Sequence, residues 1–171
     1  MKRFMVGLAL VGLWVSRLGA AEEVTTASAA MEQQVREIVA GPQVTLVHFW
    51  APWCPNCHAE MKPEGWAKFI AANPEVKVVF INFWHRGMDP KRVLETGQLG
   101  AQPNLLLLTH PSEVSRAGEG RVNEFLGLPV TWLPTTWVFR EGRMRYALNY
   151  GEVRFDMLQQ LVSDAQDKWT H

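Results

Sequence analysis

Cys54 and Cys57 are the only thiols in the chain, two residues apart in the run Cys54-Pro55-Asn56-Cys57. Thiols at this spacing can form a structural staple, anchor a metal or haem, or act as a reversible dithiol. A staple gains most when it joins distant segments, because the entropy removed from the unfolded chain grows with the closed loop. A bridge over two residues constrains almost nothing. Reversible exchange needs two sulfurs that can bond without backbone movement, one of them ionised. The pair follows an apolar run and stands at the expected start of a helix. There, unpaired N–H groups and the positive end of the helix dipole favour a thiolate. Such settings bring a cysteine pKa from ~8.5 into the range of roughly 3.5–7.5. Pro55 suits the first helical position, which has no use for an N–H. In this chemistry Cys54 attacks a disulfide, and Cys57 resolves the mixed disulfide that results.

Other chemistries compete for the same residues. With His58 the run becomes C-x-x-C-H, a c-type haem attachment sequence with His58 as axial ligand and Met61, Met144 or Met157 as second ligands. Zinc would have two Cys and one His crowded into five residues and no assigned fourth ligand. A non-catalytic binding module is a third class, which the presence of both cysteines does not favour. The elements around the motif speak for the dithiol, and no metal or cofactor is expected.

Those elements follow from periodicity and punctuation. Ser28 can cap a helix whose apolar positions Met31, Val35, Ile38 and Val39 run up to Gly41-Pro42, with residues 22–28 as a polar lead-in. Val44 to Trp50 reads as a buried strand and delivers the chain to the cysteines. A helix is expected from about Cys54 to Ala72, perturbed by Pro63 and ended by Asn73-Pro74. Val76 to Phe83 is a second strand, 85–104 a loop or short helix, Leu105 to Leu108 a third strand, and 111–127 polar and weakly helical. Strands Thr136–Phe139 and Arg143–Tyr150 flank the hairpin signal Arg140-Glu141-Gly142. Phe155, Leu158, Leu161, Val162, Ala165 and Trp169 line one face of a last helix. The order is that of an α/β domain with a mixed sheet and helices on both faces. Small haem proteins with this attachment sequence are usually helical, so the α/β reading weighs against haem.

The stretch Phe49 to Cys57 resembles the active site of thioredoxin-like proteins, and its continuation His58-Ala59-Glu60-Met61 is similar to exported TlpA/ResA-type thiol-disulfide reductases. A second match, Leu133-Pro134-Thr135-Thr136-Trp137-Val138-Phe139, is similar to the segment carrying that fold's cis-proline, with Gly142 and Gly151 at familiar distances. The resemblance runs from about Val44 to Ala165. It implies a thioredoxin-like fold, a central mixed β-sheet flanked by helices on both faces. It implies Cys54 as the exposed nucleophile and Cys57 as the buried resolving cysteine of a redox-active disulfide. Trp53, Pro55, Leu133 and a cis Pro134 would then meet the substrate. Glu60 matches an acid that some members place near the resolving cysteine; a solvated helix glutamate is the other reading. His48 stands where thioredoxins carry a buried aspartate. A histidine with a pKa near 6.5 can accept the proton of Cys57, while a core histidine bonded to backbone is the alternative. Pro63 lies one residue later than the family's helix proline, and 109–127 depart from the family's pattern, as an insertion shaping the substrate surface would. The resemblance leans towards a reductase recharged by a membrane thiol-disulfide donor, with an oxidase or isomerase as the alternative. Its partners would be proteins carrying disulfides or dithiols.

Length and composition fit one domain. The 171 residues include eight Trp and eight Phe for a core, and 17 basic residues balance 17 acidic ones. That balance offers no basic excess for nucleic acid or an anionic membrane surface. The chain is expected to act as a monomer. Lys2 and Arg3 precede an apolar stretch of about a dozen residues, shorter than the roughly twenty of a spanning helix, and Gly19, Ala20 and Ala21 follow. Residues 1–21 therefore read as a signal peptide cleaved after Ala20 or Ala21, with an uncleaved anchor as the alternative. Residues 22–171 form the mature, periplasmic domain.

Overall fold

The structure, a computed structural model, describes residues 9–100, 102–118, 120–149 and 151–167, with side chains from Glu22 onward. Helix α1 (Ala9–Val39) leads into strand β1 (Thr45–Trp50), which is buried along its whole length. A strand with no wet face belongs at the centre of a sheet covered on both sides, and β1 holds that place. Strands β2 (Lys77–Asn82), β3 (Leu105–Thr109), β6 (Thr135–Arg140) and β7 (Arg143–Leu148) complete the sheet in the order β3-β2-β1-β6-β7. Parallel pairs join β1 to β2 and β2 to β3; antiparallel pairs join β1 to β6 and β6 to β7. The sheet is therefore mixed, and the fold is thioredoxin-like.

The two faces of β1 serve different purposes. On one, Phe49 sits in an edge-on aromatic cluster, with Trp137 at 4.6 Å, Phe125 at 5.4 Å and Phe83 at 5.5 Å between ring centres. Helix α1 covers this side, burying Val35 and Val39, together with a short hairpin of β4 (Glu124–Phe125) and β5 (Leu128–Pro129). Glu32 on α1 accepts the Leu126 N–H of that hairpin at 3.0 Å. On the other face His48 lies against Trp66 and Phe80, and Trp66 meets Phe155 at the start of helix α5 (Phe155–Gln166). Arg140 at the end of β6 donates to the Ala165 and Gln166 carbonyls and so caps α5.

Several elements depart from the sequence expectation. Helix α1 does not begin at Ser28; it runs from Ala9 through the polar lead-in, and Ser28 Oγ instead meets His110 Nε2 at 2.9 Å. No Gly or Pro stands between residues 20 and 40, so nothing local stops the helix. The single helix expected after the cysteines is broken into α2 (Pro55–Glu60), a π-helical turn (Pro63–Ala67) and α3 (Lys68–Ala72). Lys62 is extended, as the residue before a proline prefers. At Gly65 (φ −92°, ψ −114°) an added Cβ would run into the Glu60 carbonyl and come within 3.1 Å of the Phe155 ring. Helix α4 (Lys91–Thr96) falls within residues 85–104, where the sequence predicts a loop or short helix. Residues 111–123 are irregular rather than helical, interrupted by Pro111, Gly118 and Gly120. The β6–β7 turn puts Glu141 (φ 52°) and Gly142 (φ 73°) in the left-handed region that a two-residue hairpin turn requires. Trp169, expected on the last helix, and the 1–8 part of the leader lie outside the described residues. Among the described residues no helix is long and apolar enough to cross a membrane.

Candidate functional site

The site forms where the parallel strands β1 and β2 deliver their carboxyl ends, the edge at which open α/β sheets bind ligands. Trp50 ends β1, a turn follows, and Cys54 caps α2 in extended conformation (φ −87°, ψ 112°). Pro55 opens the helix. Cys54 and Cys57 are joined as a disulfide with Cα atoms 5.2 Å apart. Cys54 Sγ accepts the Cys57 N–H at 3.3 Å, so an orphan amide of the helix start is aimed at the sulfur. With α2 only six residues long, this local N–H rather than a long helix dipole favours negative charge on Cys54. Cys54, expected to be the exposed cysteine, is enclosed as well as Cys57. Cys57 has no exposure and Cys54 only 4%, because Cys54 sits at the base of a cleft.

That cleft, about 330 Å³, is lined by Trp53, Cys54, Pro55, Trp84, Arg121 and Leu133 among others. Trp53 donates its indole N–H to the Trp84 carbonyl at 2.6 Å, and Trp84 donates its own to the Val122 carbonyl at 2.6 Å. Arg86 stacks over Trp53 with its guanidinium carbon 4.0 Å from the ring centre, and Arg121 over Trp84 at 3.6 Å. Trp84 (φ 54°) and Arg86 (φ 59°) hold left-handed backbone conformations, strained for side chains of their size. The irregular segment 111–123 thus forms one wall of the cleft. Leu133 forms part of the other, the Leu133–Pro134 bond is cis, and Pro134 itself is buried behind it at the entry to β6. A larger cavity of about 440 Å³ between α1 and His110 lies away from the disulfide.

Beneath the disulfide lies a buried polar cluster. Glu60 is three residues beyond Cys57, and both are buried in α2. Its Oε2 accepts the Val153 N–H at 2.9 Å. Burial pushes the Glu60 carboxyl up to about 8, against the opposing pull of the Val153 N–H. This is no solvated helix glutamate: Glu60 is 3% exposed. His48 Nε2 lies 3.7 Å from Glu60 Oε1, too far for a hydrogen bond. His48 Nδ1 shares a hydrogen bond with Thr136 Oγ1 at 2.9 Å, a side-chain partner rather than the backbone one of the core-histidine alternative. Complete burial lowers the His48 pKa from 6.5 to about 3, well below the value expected from its type. The two groups are therefore both neutral near pH 7, not an ion pair. His48 Nε2, Glu60 Oε1 and Trp66 Nε1 all lack a hydrogen-bond partner, an exception among buried polar groups.

His58, the residue that would ligate a haem, donates its Nε2–H to the Pro52 carbonyl at 2.6 Å. Among the described residues no cluster of three His, Cys, Asp or Glu side chains is placed to hold a metal ion. Sequence reading missed Trp84 and Arg121. Trp84 was within reach, since it follows a strand parallel to β1 and must emerge beside the cysteines. Arg121 was not, because only the folded course of 111–123 brings it there.

The thioredoxin-like domain family matches residues 31–166. Comparison with the curated proteins gives no match. Among solved structures, a secreted Mycobacterium tuberculosis disulfide oxidoreductase homologous to E. coli DsbE superposes with a TM-score of 0.52 at 24% identity, over 73% of this chain and 84% of its own. A DsbF homologue from Corynebacterium diphtheriae gives 0.53 at 15% identity over 73% of each chain. A thiol-disulfide isomerase from Corynebacterium glutamicum gives 0.51 at 14% identity, over 78% of this chain and 86% of its own. At these identities the likeness is one of fold.

Proposed function

This chain belongs to the thioredoxin-like domain family, and from that premise we propose that it is an exported thiol-disulfide oxidoreductase working through Cys54 and Cys57. The observation that carries the reading is the asymmetry of the pair: Cys54 lines an open cleft and receives an amide N–H on its sulfur, while Cys57 is sealed beneath it. In the reduced protein the Cys54 thiolate attacks one sulfur of a substrate disulfide. The Cys54–substrate S–S bond forms as the substrate's own breaks, and the released thiolate takes up a proton. The Cys57 thiolate then attacks Cys54 Sγ and expels the second substrate thiolate. Two electrons and two protons pass from the protein dithiol to the substrate, leaving the Cys54–Cys57 disulfide.

The second step needs the Cys57 proton removed inside the protein. Glu60, one helical turn away, can accept it as the carboxylate, the minor form near pH 7 because burial raises its pKa to about 8, so resolution should quicken as pH rises towards 8. His48 is too weak a base for that role and serves as the neutral neighbour of the carboxyl. Trp53, Pro55 and Leu133 contact the substrate segment, and Pro134 sets the course of Leu133. The resemblance of Cys54 to Met61 to exported reductases supports the reductive direction and recharging by a membrane thiol-disulfide donor. The Lys2-Arg3 head and short apolar stretch support export to the periplasm.

The test uses reduced Cys57→Ser and Cys54→Ser proteins challenged with a disulfide-bonded protein, acid-quenched and run on non-reducing gels. Cys57→Ser accumulates a mixed disulfide and Cys54→Ser does not; equal trapping by both overturns the assignment. Equilibration against glutathione then fixes the direction, a reductase requiring a potential well below that of an oxidising exchange protein.

A further inference from the structure

Among the described residues, the charge in the cleft beside Cys54 has no counter-charge. Three indoles (Trp53, Trp84 and Trp132) and Leu133 give it apolar walls, and among the described residues Arg121 is the only charged side chain that lines it. Arg121 forms no ion pair among the described residues, and its Nε is buried without a hydrogen-bond partner. Stacking on Trp84 occupies one flat face of the guanidinium and Nε is buried, so the terminal N–H donors are the part of this half-buried side chain that can meet a carboxylate. Arg86 is differently employed: its Nε donates to Ser115 Oγ at 2.8 Å, and it does not line the cleft. Glu113, the described acid of the 111–123 segment, turns its carboxylate to Gly87, where an added Cβ would stand 2.7 Å from Oε2. Among the described residues no acid lines the cleft.

We infer that Arg121 is a specificity residue, selecting extended polypeptide segments that carry an acidic side chain beside the disulfide cysteine attacked by Cys54. The inference rests on the thiol-disulfide reading and adds the substrate's charge to it. Partial enclosure by indoles strengthens a guanidinium–carboxylate contact over one in open water, and a lysine at the same substrate position meets repulsion.

The experiment measures the rate at which the reduced protein reduces short disulfide-bridged peptides that differ in one residue beside the cysteine: Glu, Gln or Lys. A small neutral disulfide is run in parallel. Ratios between peptides are read, so that a general change in activity cancels. The wild type should reduce the Glu peptide about threefold to fivefold faster than the Gln peptide, with Lys slowest. Arg121→Gln should bring the ratio near one, Arg121→Lys should retain part of it, and Arg121→Glu should invert it in favour of Lys. Equal rates in the wild type, or a preference that survives Arg121→Gln and Arg121→Glu, overturn the inference while leaving the exchange activity standing. Failure to reduce the neutral disulfide as well overturns both.

Discussion

Glu60 shows how far a residue's surroundings can move its chemistry from what its type suggests. A carboxyl that titrates at about 8 when folded and near 4.5 when exposed binds its proton more tightly in the native state. Its contribution to stability is therefore complete below about 4.5 and lost as pH rises through 8. His48 has the opposite sign, binding its proton less tightly when folded, so stability rises with pH between about 3 and 6.5. The two oppose one another in the overlap, and above pH 6.5 only Glu60 acts. Thermal unfolding of the oxidised protein should show stability falling between pH 6.5 and 8 by up to about 2 kcal/mol, at 1.36 kcal/mol for each pH unit. Glu60→Gln should flatten that limb, and an unchanged slope would place the titrating group elsewhere. The same variant should slow resolution by Cys57 more than attack by Cys54, measured as decay against formation of the mixed disulfide. At this scale the sequence showed the cysteines plainly, because their spacing is itself the chemistry. It did not show the pKa of His48, which depends on Trp66 and Phe80 closing around it from two other elements.

Among the elements, the break after α2 matters most to the site, since it turns the chain so that Trp66 and Phe155 roof the His48–Glu60 cluster. The sequence announced a perturbation through Pro63 but not its form. A proline stops a helix locally, whereas the path taken afterwards depends on what Gly65 lets approach. Gly65→Ala should cost about 1–3 kcal/mol in urea unfolding, since the Glu60 carbonyl that its Cβ would strike is backbone and cannot swing aside. Gly100, which has nothing within 4 Å of a built Cβ, is the comparison: Gly100→Ala should change stability little. Strands β1, β2 and β6 were legible within a residue or two because burial leaves an apolar record, and the exposed β7 through the hairpin signal before it. The 111–123 segment left none, its polar residues being held by backbone hydrogen bonds such as Arg86 N–H to the Glu113 carbonyl.

On the scale of the whole molecule, α1 crosses the boundary expected between leader and domain, and among the described side chains its tertiary contacts are Ser28 to His110, Glu32 to Leu126, and Val35 and Val39 in the core. A chain beginning at Glu22 should match the full chain in thermal stability, whereas one beginning at Gly41 should lose its cooperative unfolding transition. Intact-mass measurement of the exported protein should find a chain starting near Ala21 or Glu22. The fold class was readable from the order of strands and helices, but the sheet's neighbours were not, because pairing partners are chosen by tertiary packing rather than proximity in sequence. That choice carries a kinetic consequence. The central strand β1 has its parallel partner only after the whole α2–α3 crossover, Thr45 meeting Lys77, and its antiparallel partner much later, Thr45 meeting Phe139. Closing so long a loop is entropically expensive and must precede the contacts that reward it, so refolding kinetics should find the pairing of β1 with β6 forming late. The Cys54–Cys57 bridge encloses two residues and shortens neither search. Oxidised and reduced chains should therefore refold at similar rates, and the redox chemistry can cycle without the fold having to relearn its topology.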